Sequence, residues 1–212
     1  MIKVHLDSIY KVFKNRKGKQ MNIRKSYSVL LPLVKVEGEL HILFEVRAKD
    51  LETQPGEISF PGGAIENNET PIEACIRETC EELGVNEKNI NIIGELDYIG
   101  APANIQIFAF VGMLDIKKIQ GYSNSEVDHC FLVPLTFFYN TEPDKYYSET
   151  DIKLDDSFPY GLIPNGKKYI WRKGKYPIHF YNYNGYIIWG ITAKFIDNFI
   201  STYKQYYIYN KD

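Results

Sequence analysis

Residues 62–85 read GGAIENNETPIEACIRETCEELGV and carry Glu66, Glu69, Glu73, Glu78, Glu81 and Glu82, the last three within the run RETCEELG. Carboxylates at that density have two uses. They can form a solvated acidic face, or they can hold a hard divalent cation, which takes oxygen ligands and shares substrate phosphates. The element that carries them decides between the two. Thr70 and Glu73 form a T-x-x-E capping box, Pro71 stands at the first helical position, and Gly84 stands where a left-handed C-terminal residue belongs. That punctuation predicts a helix over about 70–83.

On a helical wheel Ile72, Ile76, Thr79 and Leu83 share one stripe, predicted to face the core, and Arg77, Glu78, Glu81 and Glu82 lie opposite. Glu78 and Glu82 are one turn apart with Glu81 beside them. Ala74, one turn before Glu78, leaves room above the carboxylates. Like charges at i, i+4 cost a helix about 0.2–0.5 kcal/mol, a penalty that a bridging cation would reverse. Arg77, one turn before Glu81, can orient it by a charge-assisted bond. On the helix alone, the solvated face and the cation site are equally open.

The spacing upstream separates them. Gly63 is followed by five residues, Glu69, seven residues, and then Arg77-Glu78-Thr79-Cys80-Glu81-Glu82-Leu83-Gly84-Val85. This resembles the Nudix box, G-x5-E-x7-R-E-U-x-E-E-x-G-U with U aliphatic, and every fixed letter is present. Thr79 stands where an aliphatic residue is usual. The resemblance implies an α/β (α+β) fold, a mixed sheet sandwiched between helices with the box as a loop-helix-loop. It also implies divalent-metal-dependent hydrolysis of a nucleoside diphosphate linked to another group, with Mg²⁺ or Mn²⁺ as cofactor. Carried over by position, Glu78 and Glu82 ligate the metal, and Glu81 is a further ligand or the group that activates water. The Gly63 carbonyl faces the metal. Glu69, Arg77 and Gly84 hold the loop-helix-loop together, Arg77 next to the reacting groups. The chemistry agrees, because a pyrophosphate repels hydroxide until its charge is neutralised and a water is acidified.

A second resemblance concerns the substrate. Residues 43–63, LFEVRAKDLETQPGEISFPGG, are similar to the segment preceding the box in coenzyme A pyrophosphatases, L-L-T-x-R-[SA]-x3-R-x3-G-x3-F-P-G-G, with Arg47, Ala48, Gly56 and Phe60 to Gly63 in register. Arg47, Phe60 and Gly62 become candidate substrate contacts, although Arg47 can equally pair with a carboxylate. Glu52 stands where the second arginine is expected and would repel a phosphate. Glu45 replaces the usual small polar residue. The C-terminal IIWGITAKFIDNFI resembles the I-W-G-x-T-A-x-x-L helix of the same group; Trp189 and Thr192 in it read as packing residues. Glu126, just before a strand, is a candidate general base or an ordinary loop acid. Pro102 sits about where ADP-ribose-specific relatives carry a discriminating proline. Coenzyme A is the expected substrate; ADP-ribose or another nucleotide sugar, and a ligand-sensing domain without turnover, are the alternatives.

The remaining elements must position this constellation. DSIYKVFKN (7–15) has helical spacing at Ile9, Val12 and Phe13. YSVLLPLVKV and LHILFEVRA flank EGE as a hairpin, and 48–57 reads as a loop. ISFPGGAI is a short strand entering a turn, NINIIGELDYIG and IQIFAFVGML are strands around APAN, CFLVPLTFF holds a strand that ends near Pro134, and 140–185 reads as loops and short strands. WGITAKFIDNFISTY (189–203) is an amphipathic helix with Ile191, Phe195, Ile196 and Phe199 on one face. One domain over 1–212 is expected, with a core of about 27–137, an N-terminal helix and linker, and a C-terminal extension ending in a helix.

With 212 residues, 44% hydrophobic, 25% charged and a net charge of −2, the composition is that of an ordinary globular chain with no appetite for nucleic acid. The basic stretch KNRKGKQMNIRK (14–25) lacks interleaved aromatics and reads as a solvated linker. The cysteines, Cys75, Cys80 and Cys130, have neither disulfide nor zinc spacing, which predicts a reducing cytoplasm. No apolar run suggests a signal peptide or a membrane span. His129 and His179 carry no partner pattern. The expected partner is a small nucleotide, bound by a monomer or homodimer.

Overall fold

The protein is described from a computed structural model, which covers residues 5–101, 104–119, 121–122 and 125–209. After a short helix α1 (Leu6–Phe13), strands β1 (Lys25–Val36) and β2 (Glu39–Arg47) form the expected hairpin. Glu37 (φ 50°) and Gly38 (φ 93°) both take the left-handed conformation that a two-residue turn matched to strand twist requires. β1 and β2 pair only from Leu33↔Ile42 to Val36↔Glu39 and then diverge. The gap is taken up by two short strands. β3 (Ile58–Ser59) pairs with β2, and β4 (Gly62–Ala64) pairs with β1. The glycine loop thus runs from one diverging strand to the other and leads directly into α2 (Pro71–Leu83).

Strands β5 (Ile90–Glu95), β6 (Ile99–Ala101) and β7 (Ile105–Leu114) follow. β7 runs parallel to β1 from Lys25↔Ile105 to Val34↔Leu114, and β5 and β6 pair antiparallel with its other edge. β8 (Val127–Pro134) pairs with the outer edge of β2, which completes an eight-stranded mixed sheet. Alternation along β2 divides the core. Ile42, Phe44 and Val46 face one cluster with Phe138, Phe195 and Ile196. These come from α3 (Leu135–Asn140) and α4 (Gly190–Tyr209). Leu43 faces the other, with Leu30, Val34, Cys75, Leu83 and Phe110 under α2. The sheet therefore lies between helices, the layered α/β arrangement that the sequence resemblance implies.

Four details differ from expectation. The buried side of α2 consists of Ala74, Cys75, Thr79, Glu82 and Leu83, while Ile72 is exposed. The helix is turned toward Glu78 and Glu82, because its acidic side packs on the glycine loop instead of facing water. Thr79 meets the cost of burial by donating its hydroxyl to the Cys75 carbonyl (2.7 Å). In α4, Phe195, Ile196 and Ile200 are buried but Ile191, in the first turn, is exposed. α1 forms, yet Ile9, Val12 and Phe13 bury nothing. Residues 140–185 hold a strand longer than expected: β9 (Asp144–Thr150), β10 (Gly174–Tyr183) and β11 (Tyr186–Trp189) make a second, antiparallel sheet in the order β11-β10-β9. Every residue of β9 is exposed, so no burial pattern marked it. Pro102 lies outside the described residues. Among the described residues, no helix is long and apolar enough to cross a membrane.

Candidate metal and phosphate site

The capping box sets the start of α2. Thr70 N–H donates to Glu73 Oε2 (2.8 Å), and Glu73 N–H donates back to the Thr70 hydroxyl (3.4 Å). Gly84 ends the helix in the left-handed conformation (φ 59°), and a Cβ there would overlap the Gly121 carbonyl. Between these ends, Arg77 is the hub. Its Nε and one terminal nitrogen donate to both oxygens of Glu69 (2.9 and 3.1 Å), a bidentate pair. The same fork reaches the Ala64 carbonyl (3.0 Å), Glu78 (2.8 Å) and Glu81 (3.4 Å). Glu69 also accepts from Glu66 N–H (3.0 Å). Arg77 and the Glu66 amide hold the Glu69 carboxyl below its ordinary range, and Glu69 in turn raises the Arg77 guanidinium.

The other carboxylates lie against the glycine loop. Gly62 N–H donates to Glu82 Oε2 (2.7 Å). A Cβ on Gly63 would overlap the Glu78 carboxyl, and a Cβ on Gly62 would overlap β1 at Ser28 and Val29. Both glycines are thus required for close approach. Glu82 is 4% exposed; burial raises its pKa, the charge of Glu45 adds to this, and the Gly62 amide opposes it. Glu78 is raised by burial, and its bond to Arg77 works against the rise. Glu81 is exposed at the rim.

Glu45 comes to the same place from β2. It lies two residues beyond Leu43 on the face toward α2, opposite Ser59 on one side and Cys130 on the other. It is 1% exposed, and burial raises its pKa, with Glu126 and Glu78 contributing and Ser59 and Arg47 opposing. Burial, Glu45 and Glu82 together push the Cys130 thiol up to about 12. Sequence reasoning marked Glu45 only as a motif departure. A charged residue in the middle of the apolar run HILFEV was the available signal.

Arg47 makes no ion pair within 4 Å among the described residues. Its Nε is buried without a partner, and its terminal nitrogen reaches only the Thr53 carbonyl (3.5 Å). The loop 48–57 is tied down at both ends, by Arg47 N–H to the Glu57 carbonyl and by Gly56 N–H to the Arg47 carbonyl. Ala48 N–H donates to the Glu126 carbonyl (2.8 Å), which fixes that turn beside the site. The Glu126 side chain is exposed, and its charge is felt at Glu45, Glu78 and Glu82. Glu52 is exposed on the same loop. Phe60, a candidate substrate contact, is instead core: it is 3% exposed and stacked on Phe44 (5.3 Å), so it offers a ligand no face. Trp189 is 40% exposed, not core, because β11 turns its side chain outward to stack on Phe180. Thr192 packs as expected, donating to the Ile58 carbonyl (3.1 Å). Beside the 48–57 loop opens a cavity of about 620 Å³, lined by Gly56, Ile58, His129, Tyr186 and Trp189 among others. His129 is held there by Asp128 (2.7 Å) and the Tyr186 hydroxyl (3.2 Å), whereas His179 is buried, 3.8 Å from Asp197.

The donor set suits a hard divalent cation. Glu45, Glu78 and Glu82 are buried or half-buried oxygen donors in excess over nearby cations, and one Glu45 oxygen has no partner. Among the described residues no three such side chains already stand at ligand spacing. Arg77 draws Glu78 one way and the Gly62 amide draws Glu82 another.

Comparison with known proteins agrees with this geometry. Residues 25–149 match the family model described as NUDIX domain. Nudix hydrolase 3 of Caenorhabditis elegans is 35% identical over 112 residues, 51% of this chain and 47% of that protein. Peroxisomal coenzyme A diphosphatase NUDT7 of Mus musculus is 34% identical over 125 residues, 58% of this chain and 52% of that protein. The chain therefore spans about half the length of these relatives. A Nudix hydrolase NudL of Enterobacter sp. (strain 638) is 26% identical over 191 residues, 89% of this chain and 88% of that protein. Among solved structures, an Ap4A hydrolase binary complex from C. elegans aligns with a TM-score of 0.45 at 19% identity, covering 52% of this chain and 80% of that one. The family match covers more than half of the 212 residues and includes the whole loop-helix-loop. The chain belongs to the Nudix family.

Proposed function

We propose that the protein hydrolyses the pyrophosphate of coenzyme A or a derivative, releasing 3′,5′-ADP and 4′-phosphopantetheine, with Mg²⁺ or Mn²⁺ as cofactor. The observation that carries the reading is the carboxylate cluster packed on Gly62 and Gly63, in which Glu45 and Glu82 are buried without an ion pair among the described residues, with Arg47 close enough for its charge to be felt at Glu45. Glu78, Glu82 and the Gly63 carbonyl hold the metal, and Arg77 with Glu69 fixes their helix. A bound divalent cation supplies charge neutralisation and acidifies water. The water oxygen bonds to one phosphorus as the bridging P–O bond breaks, and its proton passes to Glu81 or Glu126 at the mouth. Arg47, whose terminal nitrogen makes only a long contact to the Thr53 carbonyl (3.5 Å) among the described residues, grips a phosphate oxygen. The preference for coenzyme A rests on the residues in register before the box and on the likeness to the mouse coenzyme A diphosphatase. The cavity lined by Gly56, Ile58 and Tyr186 has room for the pantetheine arm. A reducing, cytoplasmic setting belongs to the same reading, with Cys75, Cys80 and Cys130 as free thiols.

The test is a substrate panel. Purified protein with Mg²⁺ or Mn²⁺ is offered coenzyme A, ADP-ribose, NADH and diadenosine polyphosphates, and products are separated by chromatography. Coenzyme A is expected to be cleaved at its pyrophosphate. Cleavage of ADP-ribose with coenzyme A untouched would overturn the substrate and point to Glu52 as the discriminating residue. Binding without cleavage of any compound would make the protein a sensor.

A further inference from the structure

We propose that Glu45 is a further carboxylate of the metal site, supplied by β2 from outside the loop-helix-loop, and that its free oxygen binds the same divalent cation as Glu82. The inference rests on the reading that Glu78 and Glu82 hold a metal. Three observations support it. Glu45 is 1% exposed, so its carboxyl is removed from water as completely as an apolar core residue. Its Oε1 accepts from the Ser59 hydroxyl (3.1 Å), while its Oε2 is buried with no partner among the described residues. A buried oxygen in that condition is costly unless something outside the chain fills the place. Finally, the side chain is aimed at α2. It shares a strand face with Leu43, which packs under that helix, and the Glu45 and Glu82 charges act on each other.

A purely structural glutamate would look different. A buried neutral carboxyl normally donates its proton to an acceptor, and a buried ionised one pairs with a cation. Glu45 does neither. Arg47 acts on it only at a distance, forming no ion pair within 4 Å among the described residues. The Ser59 bond orients one oxygen and leaves the other, on the strand face that packs under α2, without a partner among the described residues. In this arrangement the strand, and not only the helix, determines where the metal sits.

The experiment measures Mn²⁺ binding by the electron paramagnetic resonance signal of the free ion, together with thermal melts with and without Mn²⁺. It compares wild type with Glu45→Gln, Glu45→Thr and Glu82→Gln. Both Glu45 variants are expected to bind Mn²⁺ about tenfold or more weakly. Their Mn²⁺-induced rise in melting temperature should shrink in step, with metal-free melting at or above wild type. Unchanged binding in both, with Glu82→Gln weakened, would overturn the assignment of Glu45 and leave the metal site standing. Equal binding by wild type and Glu82→Gln would overturn the metal reading itself, and Glu45 with it. Metal-free melting well below wild type in both Glu45 variants would make Glu45 a structural brace and also overturn the proposal.

Discussion

Glu69 and Glu82 belong to one motif and lie at opposite ends of one carboxylate belt, yet their environments are reversed. Glu69 is half-buried but has its charge matched by the Arg77 fork and a backbone amide, which hold its pKa down. Glu82 is buried, has one amide for a partner and faces a second buried acid, so its pKa is driven up. Arg77, the only motif arginine, spends its fork on Glu69, the Ala64 carbonyl and Glu78, and Glu82 against Gly62 is left without a cation. An acid that opposes folding at neutral pH persists where a cation, absent from the chain itself, completes it.

Replacing each end should separate the roles. Glu82→Gln is expected to have the largest effect: loss of about a hundredfold or more in turnover, since a metal contributes several kcal/mol of charge stabilisation. Its metal-free melting temperature should not fall, because a buried, poorly compensated carboxylate is removed. A fall of many degrees would erase the contrast between the two ends. Arg77→Ala should cost about 10–100-fold in turnover by releasing Glu69, Glu78 and the Ala64 carbonyl together. Arg77→Lys should recover little of it, since an ammonium cannot bind Glu69 through two nitrogens. Steady-state kinetics with saturating Mg²⁺ would measure both.

The pH dependence of stability should show the two ends pulling in opposite directions. Glu69, depressed when folded, contributes stability above about pH 4.5 that is lost as pH falls through its folded value. Glu82, Glu78 and Glu45, raised when folded, hold protons that the unfolded chain has already released, so metal-free stability declines as pH rises from about 4.5. Mg²⁺ should remove the decline at high pH and leave the acid loss unchanged. Chemical denaturation across pH with and without Mg²⁺ would test this. The smallest effect is expected from Thr70→Ala, which breaks the capping box at about 1 kcal/mol and lowers melting by about 2–4 °C with turnover intact.

How much of this was legible in sequence depended on range. The limits of α2 were readable because Thr70, Glu73, Pro71 and Gly84 act on their own backbone neighbours. The β1–β2 hairpin was readable for the same reason. The rotation of α2 was not, since a wheel assigns apolar residues to the core and cannot foresee that Gly62 would offer Glu82 an amide inside the protein. Phe60 is a core contact, because the motif that contains it is a backbone device at Gly62 and Gly63 but an aromatic packing position two residues earlier. Glu45 was visible as an oddity and no more. Its meaning lies in what β3, β8 and α2 bring around it, and no local spacing encodes that.

The bond from Ala48 N–H to the Glu126 carbonyl, which extends the β2–β8 ladder beyond the Arg47↔Val127 pair, has a mechanical consequence. It joins the loop that carries Glu52 and the turn that carries Glu126, segments more than seventy positions apart in the chain, at the root of both. A ligand that draws Arg47 and the 48–57 loop toward its phosphates therefore pulls Glu126 with it. In the proposed reaction, recognition through Arg47 and placement of Glu126 as proton acceptor would then become one movement.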